Sequence, residues 1–131
     1  MQYDTFIDHV QDYGDIADRA YAEQLAHVVL GAFGQVIERM ERDILASQLP
    51  QPAAAALFAA QPPETHDVDL RLHDDIDIFY SQVRSRMDGI SITDARKQAR
   101  TVIRVLQEAA AEGEINRVRD SIPESYAQLF S

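Results

Sequence analysis

Apolar residues recur every three or four positions along most of the chain, which is the spacing of a helix face buried against a neighbour. Two long stripes of this kind predict two long helices. The first stripe comprises Ala22, Leu25, Ala26, Val29, Phe33 and Val36, and the second comprises Ala95, Ala99, Val102, Ile103, Leu106 and Ala110. The best candidate strand, residues 68–72, alternates over only five positions and is interpreted as an extended connection.

The chain also nearly repeats itself, because residues 6–50 align without a gap over residues 79–123. Unrelated sequences of ordinary composition would share about three identities over such a length. Most of the shared residues are apolar or occur at the predicted ends of helices, so the alignment predicts a tandem repeat. The eight identical pairs are Phe6/Phe79, Val10/Val83, Asp15/Asp88, Ala22/Ala95, Ala26/Ala99, Val29/Val102, Glu41/Glu114 and Pro50/Pro123.

Capping and helix-breaking residues predict where the helices begin and end. Asp15 or Asp18 can open the first long helix, and Ser91 or Thr93 can open the second. Gly113 is expected to end the second long helix. Met40 occupies the corresponding position in the first copy, so the first long helix is expected to run further before it turns. We expect one domain over residues 1–131, with repeat one at 4–60, a proline-containing linker at 61–72 and repeat two at 73–131.

Each copy has the order short helix, long helix, short helix, Leu-Pro or Ile-Pro, and a final short helix with Leu-Phe. This pattern resembles the bacterial family called domain of unknown function 2267. Residues 114–130, EINRVRDSIPESYAQLF, carry the closest similarity, with Ile122 in place of the family's usual leucine before proline. The resemblance covers nearly the whole chain and implies a helical fold. It implies no activity or site residues, because the family has none established.

Composition narrows the classes of function. The chain of 131 residues contains no cysteine, which excludes cysteine catalysis and zinc thiolate sites. The net charge is −10, so nucleic acid is not an expected partner. The charge is uneven, with −6 on residues 1–60, −5 on 61–78 and +1 on 79–131. The longest strictly apolar run, residues 53–60, is too short to cross a bilayer, and the N-terminus lacks the features of a signal peptide. We therefore expect a cytoplasmic protein with no membrane association.

Residues 66–77 contain the densest group of side chains that could bind a metal. His73 and Asp77 are four positions apart and could face one ion on a helix. The spacing matches no established metal motif, and Asp74 and Asp75 favour the positive end of a helix dipole. We interpret the segment as a solvated acidic linker and predict no metal ligands and no cofactor.

A row of arginines on the second long helix is the candidate partner surface. Arg96, Arg100 and Arg104 are spaced four apart and should lie on one helix face. They could bind a protein partner or the phosphates of a nucleic acid, pair with the acidic first copy, or simply face solvent. Glu41 and Glu114 could be mirrored acid/base carboxylates, although negative charge is also favoured in the first turn of a helix. No catalytic residue is predicted.

Together these patterns predict an all-α protein of about eight helices, built as two four-helix repeats around a pseudo-two-fold axis. The two long helices should lie at its centre. The leading hypothesis is a non-enzymatic interaction or scaffold module of a bacterial cytoplasm that binds a protein partner or associates with itself. The alternative is a small-molecule-binding regulator or small enzyme with a cleft between the repeats.

Overall fold

The computed structural model describes residues 1–59 and 75–130, and all regular structure in these two ranges is helical. The predicted all-α class is therefore confirmed. Seven α-helices are followed by a C-terminal 3₁₀-helix. They are α1 (Tyr3–Gly14), α2 (Arg19–Val36), α3 (Arg39–Ser47), α4 (Gln51–Ala59), α5 (Ile76–Arg86), α6 (Ile92–Ala109), α7 (Glu112–Ser121) and the 3₁₀-helix (Glu124–Phe130).

The two long helices begin at the residues that their sequence predicts. The Asp18 side chain accepts a hydrogen bond of 2.9 Å from the backbone N–H of Ala20 at the start of α2. Ser91 accepts one of 3.0 Å from the backbone N–H of Asp94 at the start of α6. Each cap satisfies a donor that the first helical turn leaves unpaired, so short polar residues fix both starting points.

The predicted role of Gly113 is wrong. Helix α6 ends at Ala109, because Ala110 has extended backbone angles. Gly113 instead lies in the first turn of α7. The expected lengthening of the first long helix is also wrong, since α2 ends at Val36, four residues before Met40. Both long helices have 18 residues, so the glycine at position 113 does not make their lengths differ.

The helices of the two halves share one register. Ile76, Ile92 and Glu112 each begin a helix 73 residues after the first residue of α1, α2 or α3, and Glu124 follows the start of α4 by the same interval. This common interval agrees with the alignment of the sequence. The tandem repeat, its pseudo-two-fold axis and the domain boundaries stay predictions, and the proposed linker at 61–72 lies outside the described residues.

One hydrophobic cluster includes side chains from both halves. The long helices α2 and α6 contact each other at its centre, α1 packs against both of them, and α5 does the same. The first predicted stripe is buried throughout, and in the second only Ala110 remains half-buried. Both halves therefore contribute to one core, in which their long helices are in contact.

The last helix of each half packs on its long helix in a different way. In the first half, a Cβ placed on Gly34 of α2 would lie 1.9 Å from the backbone oxygen of Leu57 in α4. Only glycine permits this approach of the two helices. In the second half, the 3₁₀-helix contacts α6 and buries the large side chains of Tyr126 and Leu129.

Candidate functional site

The arginine row lies on α6, where each of its members contacts another part of the chain. Arg96 donates a hydrogen bond of 3.3 Å to Asp77 Oδ1, and its guanidinium lies 5.8 Å from the ring centre of Tyr80. Arg100 donates one of 2.9 Å to Gln128 Oε1 in the 3₁₀-helix. These contacts hold two arginines against other elements of the second half.

Arg104 is the member of the row that contacts the first half. Its guanidinium lies 4.0 Å from the ring centre of Tyr13 in α1, a cation–π contact. None of the ion pairs between described residues joins an arginine of the second half to a carboxylate of the first. The expected charge pairing between the row and the acidic copy is therefore not formed there. Arg100 and Arg104 remain exposed, so both can still meet a partner.

An exposed polar cluster joins α1 to α6 beside Arg104. Glu108 Oε2 accepts a hydrogen bond of 2.5 Å from the Tyr13 hydroxyl, and its Oε1 lies 2.9 Å from His9 Nδ1. The bond from Tyr13 is the main cause that lowers the pKa of the Glu108 carboxyl. The same bond raises the pKa of the Tyr13 hydroxyl. His9 thus has a structural partner from the other half, which the sequence did not indicate.

Two glutamates from opposite halves meet where α3 contacts α7. Glu41 and Glu114 each lie in the first turn of their helix, as the dipole argument predicts. Glu114 is only 1% exposed. Its Oε1 accepts a hydrogen bond of 3.0 Å from Arg117 Nε, whereas its Oε2 and the Oε2 of Glu41 are buried without a hydrogen-bond partner.

A side-chain hydrogen bond also joins the end of α3 to the start of α7. The side-chain oxygen of Gln48, the C-cap of α3, accepts a hydrogen bond of 2.7 Å from the backbone N–H of Ala111, the N-cap of α7. Leu45 of α3 and Val118 of α7 are fully buried. The contact of the two helices therefore includes a polar link besides the glutamate pair.

Burial is the first cause that raises the pKa of the Glu114 carboxyl, and the neighbouring Glu41 carboxyl adds to it. Arg117 acts in the opposite direction. Two carboxyl groups in this arrangement can hold a proton between them. A bound substrate could reach them only if α3 and α7 moved apart, because Glu114 is enclosed.

The comparison with protein families gives one finding. The model of the family described as an uncharacterized conserved protein, DUF2267, matches residues 3–129. The chain belongs to the DUF2267 family. No curated protein matches it. The family resemblance of the sequence is thereby confirmed over nearly the whole chain, and the carboxyl pair lies within the matched region.

The segment of this DUF2267 protein that is richest in metal-binding residue types, interpreted above as a solvated linker, lies mostly outside the described residues, His66 and His73 included. Asp75 caps α5 by accepting a hydrogen bond of 2.9 Å from the backbone N–H of Asp77, as its dipole interpretation suggests. Within residues 1–59 and 75–130, no three side chains of metal-binding type come together. In the same ranges, no helix combines the length and the apolar character that crossing a bilayer requires.

Proposed function

We propose that this DUF2267 protein is a non-enzymatic helical interaction module of a bacterial cytoplasm. It binds a protein partner or a second copy of itself through the arginine row Arg96, Arg100 and Arg104. The proposal is a scaffold role, with no reaction assigned to any residue.

The unmatched charge of the two halves carries this proposal. Residues 1–59 have a net charge of −6, whereas residues 75–130 have eight basic residues against nine acidic ones. Among the ion pairs between described residues, the row contributes the one to Asp77, which belongs to its own half. Asp12 of α1 and Asp15, its C-cap, are exposed, and a basic row on another molecule would complement them.

Charge reversal on the row tests the proposal. Arg100→Glu removes an exposed guanidinium that donates to the neutral amide of Gln128, and Arg86→Glu makes the same charge change on α5, outside the row. Sedimentation equilibrium at low salt should show association of the wild-type chain that weakens by about tenfold or more with Arg100→Glu. Arg86→Glu should have a smaller effect, and added salt should dissociate the wild type.

A second copy and a different protein partner are distinguished by the same variants. If the chain is monomeric alone, the protein that it retains from its own host should be lost with Arg100→Glu and kept with Arg86→Glu. Equal behaviour of the two variants in both assays would contradict a role for the row. Thermal unfolding of each variant shows whether a loss of binding merely reflects a loss of folding.

One observation favours the alternative, a small-molecule-binding regulator or small enzyme. Glu41 and Glu114 meet between the halves, and a carboxyl group whose pKa is raised there is typical of binding and catalytic sites. A ligand of this site should raise the melting temperature of the wild type and fail to do so with Glu41→Gln. The interaction module remains the better-supported proposal, because Glu114 has no access to solvent.

A further inference from the structure

The contact between α3 and α7 buries two carboxyl oxygen atoms that lack a hydrogen-bond partner. Glu114 Oε2 and Glu41 Oε2 are both buried, and neither has a hydrogen-bond partner. A carboxylate oxygen accepts hydrogen bonds but cannot donate one. If one of the two groups is protonated, its O–H can donate to the other, and both buried oxygens are then satisfied.

The surrounding elements offer little positive charge as a substitute. Arg117 contacts Glu114 through Oε1, on the side away from the unpaired oxygen, and its own side chain is 61% exposed. Arg42 follows Glu41 on α3, and its guanidinium lies 5.6 Å from the ring centre of Phe58 in α4. Helix α4 itself contains no titratable residue.

The 3₁₀-helix, which also packs against α7, adds two titratable residues. Glu124 is exposed and Tyr126 is buried. The charged groups that act on Glu114 are Glu41 and Arg117. Two ionised carboxylates would therefore face each other, and the arginine that acts on Glu114 is largely solvated, which is costly at a buried carboxyl.

We propose that Glu41 and Glu114 share one proton in the folded protein, and that this proton stabilises the contact of α3 with α7. Because a proton stabilises this contact, the strength of the contact depends on pH. The contact joins the two halves, so their packing against each other depends on pH as well. This proton site is a regulatory feature separate from the arginine row, and its test does not depend on the interaction function.

The direction of the effect follows from the raised pKa of Glu114. Its pKa in the folded chain lies above the ordinary value of 4.5. The stabilising contribution is therefore complete below 4.5 and is lost as the pH rises through the raised pKa. In that interval, one proton released on unfolding changes the folding constant by up to about tenfold per pH unit.

Carbon-13 NMR of the side-chain carboxyl groups tests the shared proton directly. In the wild type, the Glu114 signal should titrate above 4.5. In Glu41→Gln, the signal should titrate at a lower pH, because the amide is neutral and can donate to the Glu114 carboxylate. Glu38→Gln removes an exposed carboxyl at the N-cap of α3 and is the matched control. It should leave the Glu114 titration unchanged.

Urea unfolding across the same pH range supplies the second measurement. The wild type should lose stability as the pH rises, whereas Glu114→Gln should lack this loss because glutamine mimics the protonated acid. Glu112→Gln, in the same first turn of α7, should keep the wild-type profile. If a variant fails to fold, the NMR titration of the wild type still decides the question.

Three results would overturn the proposal. The first is a Glu114 signal that titrates at or below 4.5. The second is the same titration in the wild type and in Glu41→Gln. The third is a shift of the Glu114 signal, with higher stability at neutral pH, on addition of magnesium or calcium chloride, because a metal ion would then occupy the position assigned to the proton.

Discussion

The helices of the two halves begin at a constant interval of 73 residues, but the last helix of each half packs on its long helix in a different way. In the first half, α4 approaches α2 so closely that Gly34 contacts the backbone of Leu57. In the second half, the residue 73 positions after Gly34 is Gln107, and the 3₁₀-helix packs on α6 through large side chains. Ala53 of α4 corresponds in the same way to Tyr126, and both are buried.

The difference shows that the register of helices does not fix how closely they pack. The absence of a side chain at Gly34 lets the backbones of α2 and α4 meet, whereas the 3₁₀-helix of the second half buries the large side chain of Tyr126, with its ring against Phe79. A polar network adds to the second arrangement, because the Tyr80 hydroxyl and Arg100 both donate to Gln128 Oε1 at 2.9 Å. The first half therefore depends on the absence of a side chain at Gly34, and the second depends on the large side chain of Tyr126. Adding atoms should destabilise the first arrangement, and removing atoms should destabilise the second.

Truncating Tyr126 should have the largest effect. The side chain is fully buried, and its ring lies against Phe79 with 5.9 Å between the ring centres. Tyr126→Ala should lower the free energy of unfolding by about 4 kcal/mol, because it leaves a cavity that the 3₁₀-helix cannot fill. The measurement is urea unfolding, with Ala53→Gly as the corresponding truncation in the first half. That variant should cost about 1 kcal/mol, and equal costs would contradict the comparison.

Adding one methyl group at Gly34 should have the next largest effect. Its Cβ would lie 1.9 Å from a backbone atom of Leu57, so α4 must move away from α2. Gly34→Ala should destabilise the protein by about 3 kcal/mol, which exceeds the gain in helix propensity. Gln107→Ala on α6 is the matched control and should change the free energy of unfolding by less than about 1 kcal/mol. A neutral or stabilising effect of Gly34→Ala would show that the close approach does not hold the first half together.

The helices and their buried faces could be predicted from the sequence, because apolar residues three or four positions apart mark the buried face of a helix. The stripes of α2 and α6 and the caps Asp18 and Ser91 follow from residues within one or two turns of each other. Gly113 misled the prediction because glycine is tolerated in an exposed first turn as well as at a helix end.

The partners of these faces could not be predicted, because they depend on long-range contacts. Nothing near Gly34 in the sequence indicates that Leu57 will approach it. The alignment of the repeats did single out Glu41 and Glu114, yet it could not show that the two carboxyl groups would meet.

The smallest expected effect concerns a second pair of corresponding positions, Glu108 on α6 and Gln35 on α2, which are 73 residues apart. Glu108→Gln gives α6 the uncharged amide that α2 already has. The pKa of Glu108 lies below its ordinary value of 4.5, chiefly because the Tyr13 hydroxyl donates to it. Its contribution to stability is therefore complete above 4.5 and is lost as the pH falls through the lowered pKa, opposite in sign to that of Glu114.

Urea unfolding of the variant between about pH 5 and pH 3 measures this contribution. Glu108→Gln should flatten part of the loss of stability on acidification, whereas Glu112→Gln removes the same charge from the exposed start of α7 and should keep the wild-type slope. The effect should be small, because the cluster is exposed and water competes for its hydrogen bonds. A wild-type slope in Glu108→Gln would mean that Tyr13 and His9 contribute nothing pH-dependent to the contact of α1 with α6. The two halves would then differ in their packing and in the proton held at Glu114. The contact of Glu108 with Tyr13 and His9 would add no pH-dependent difference.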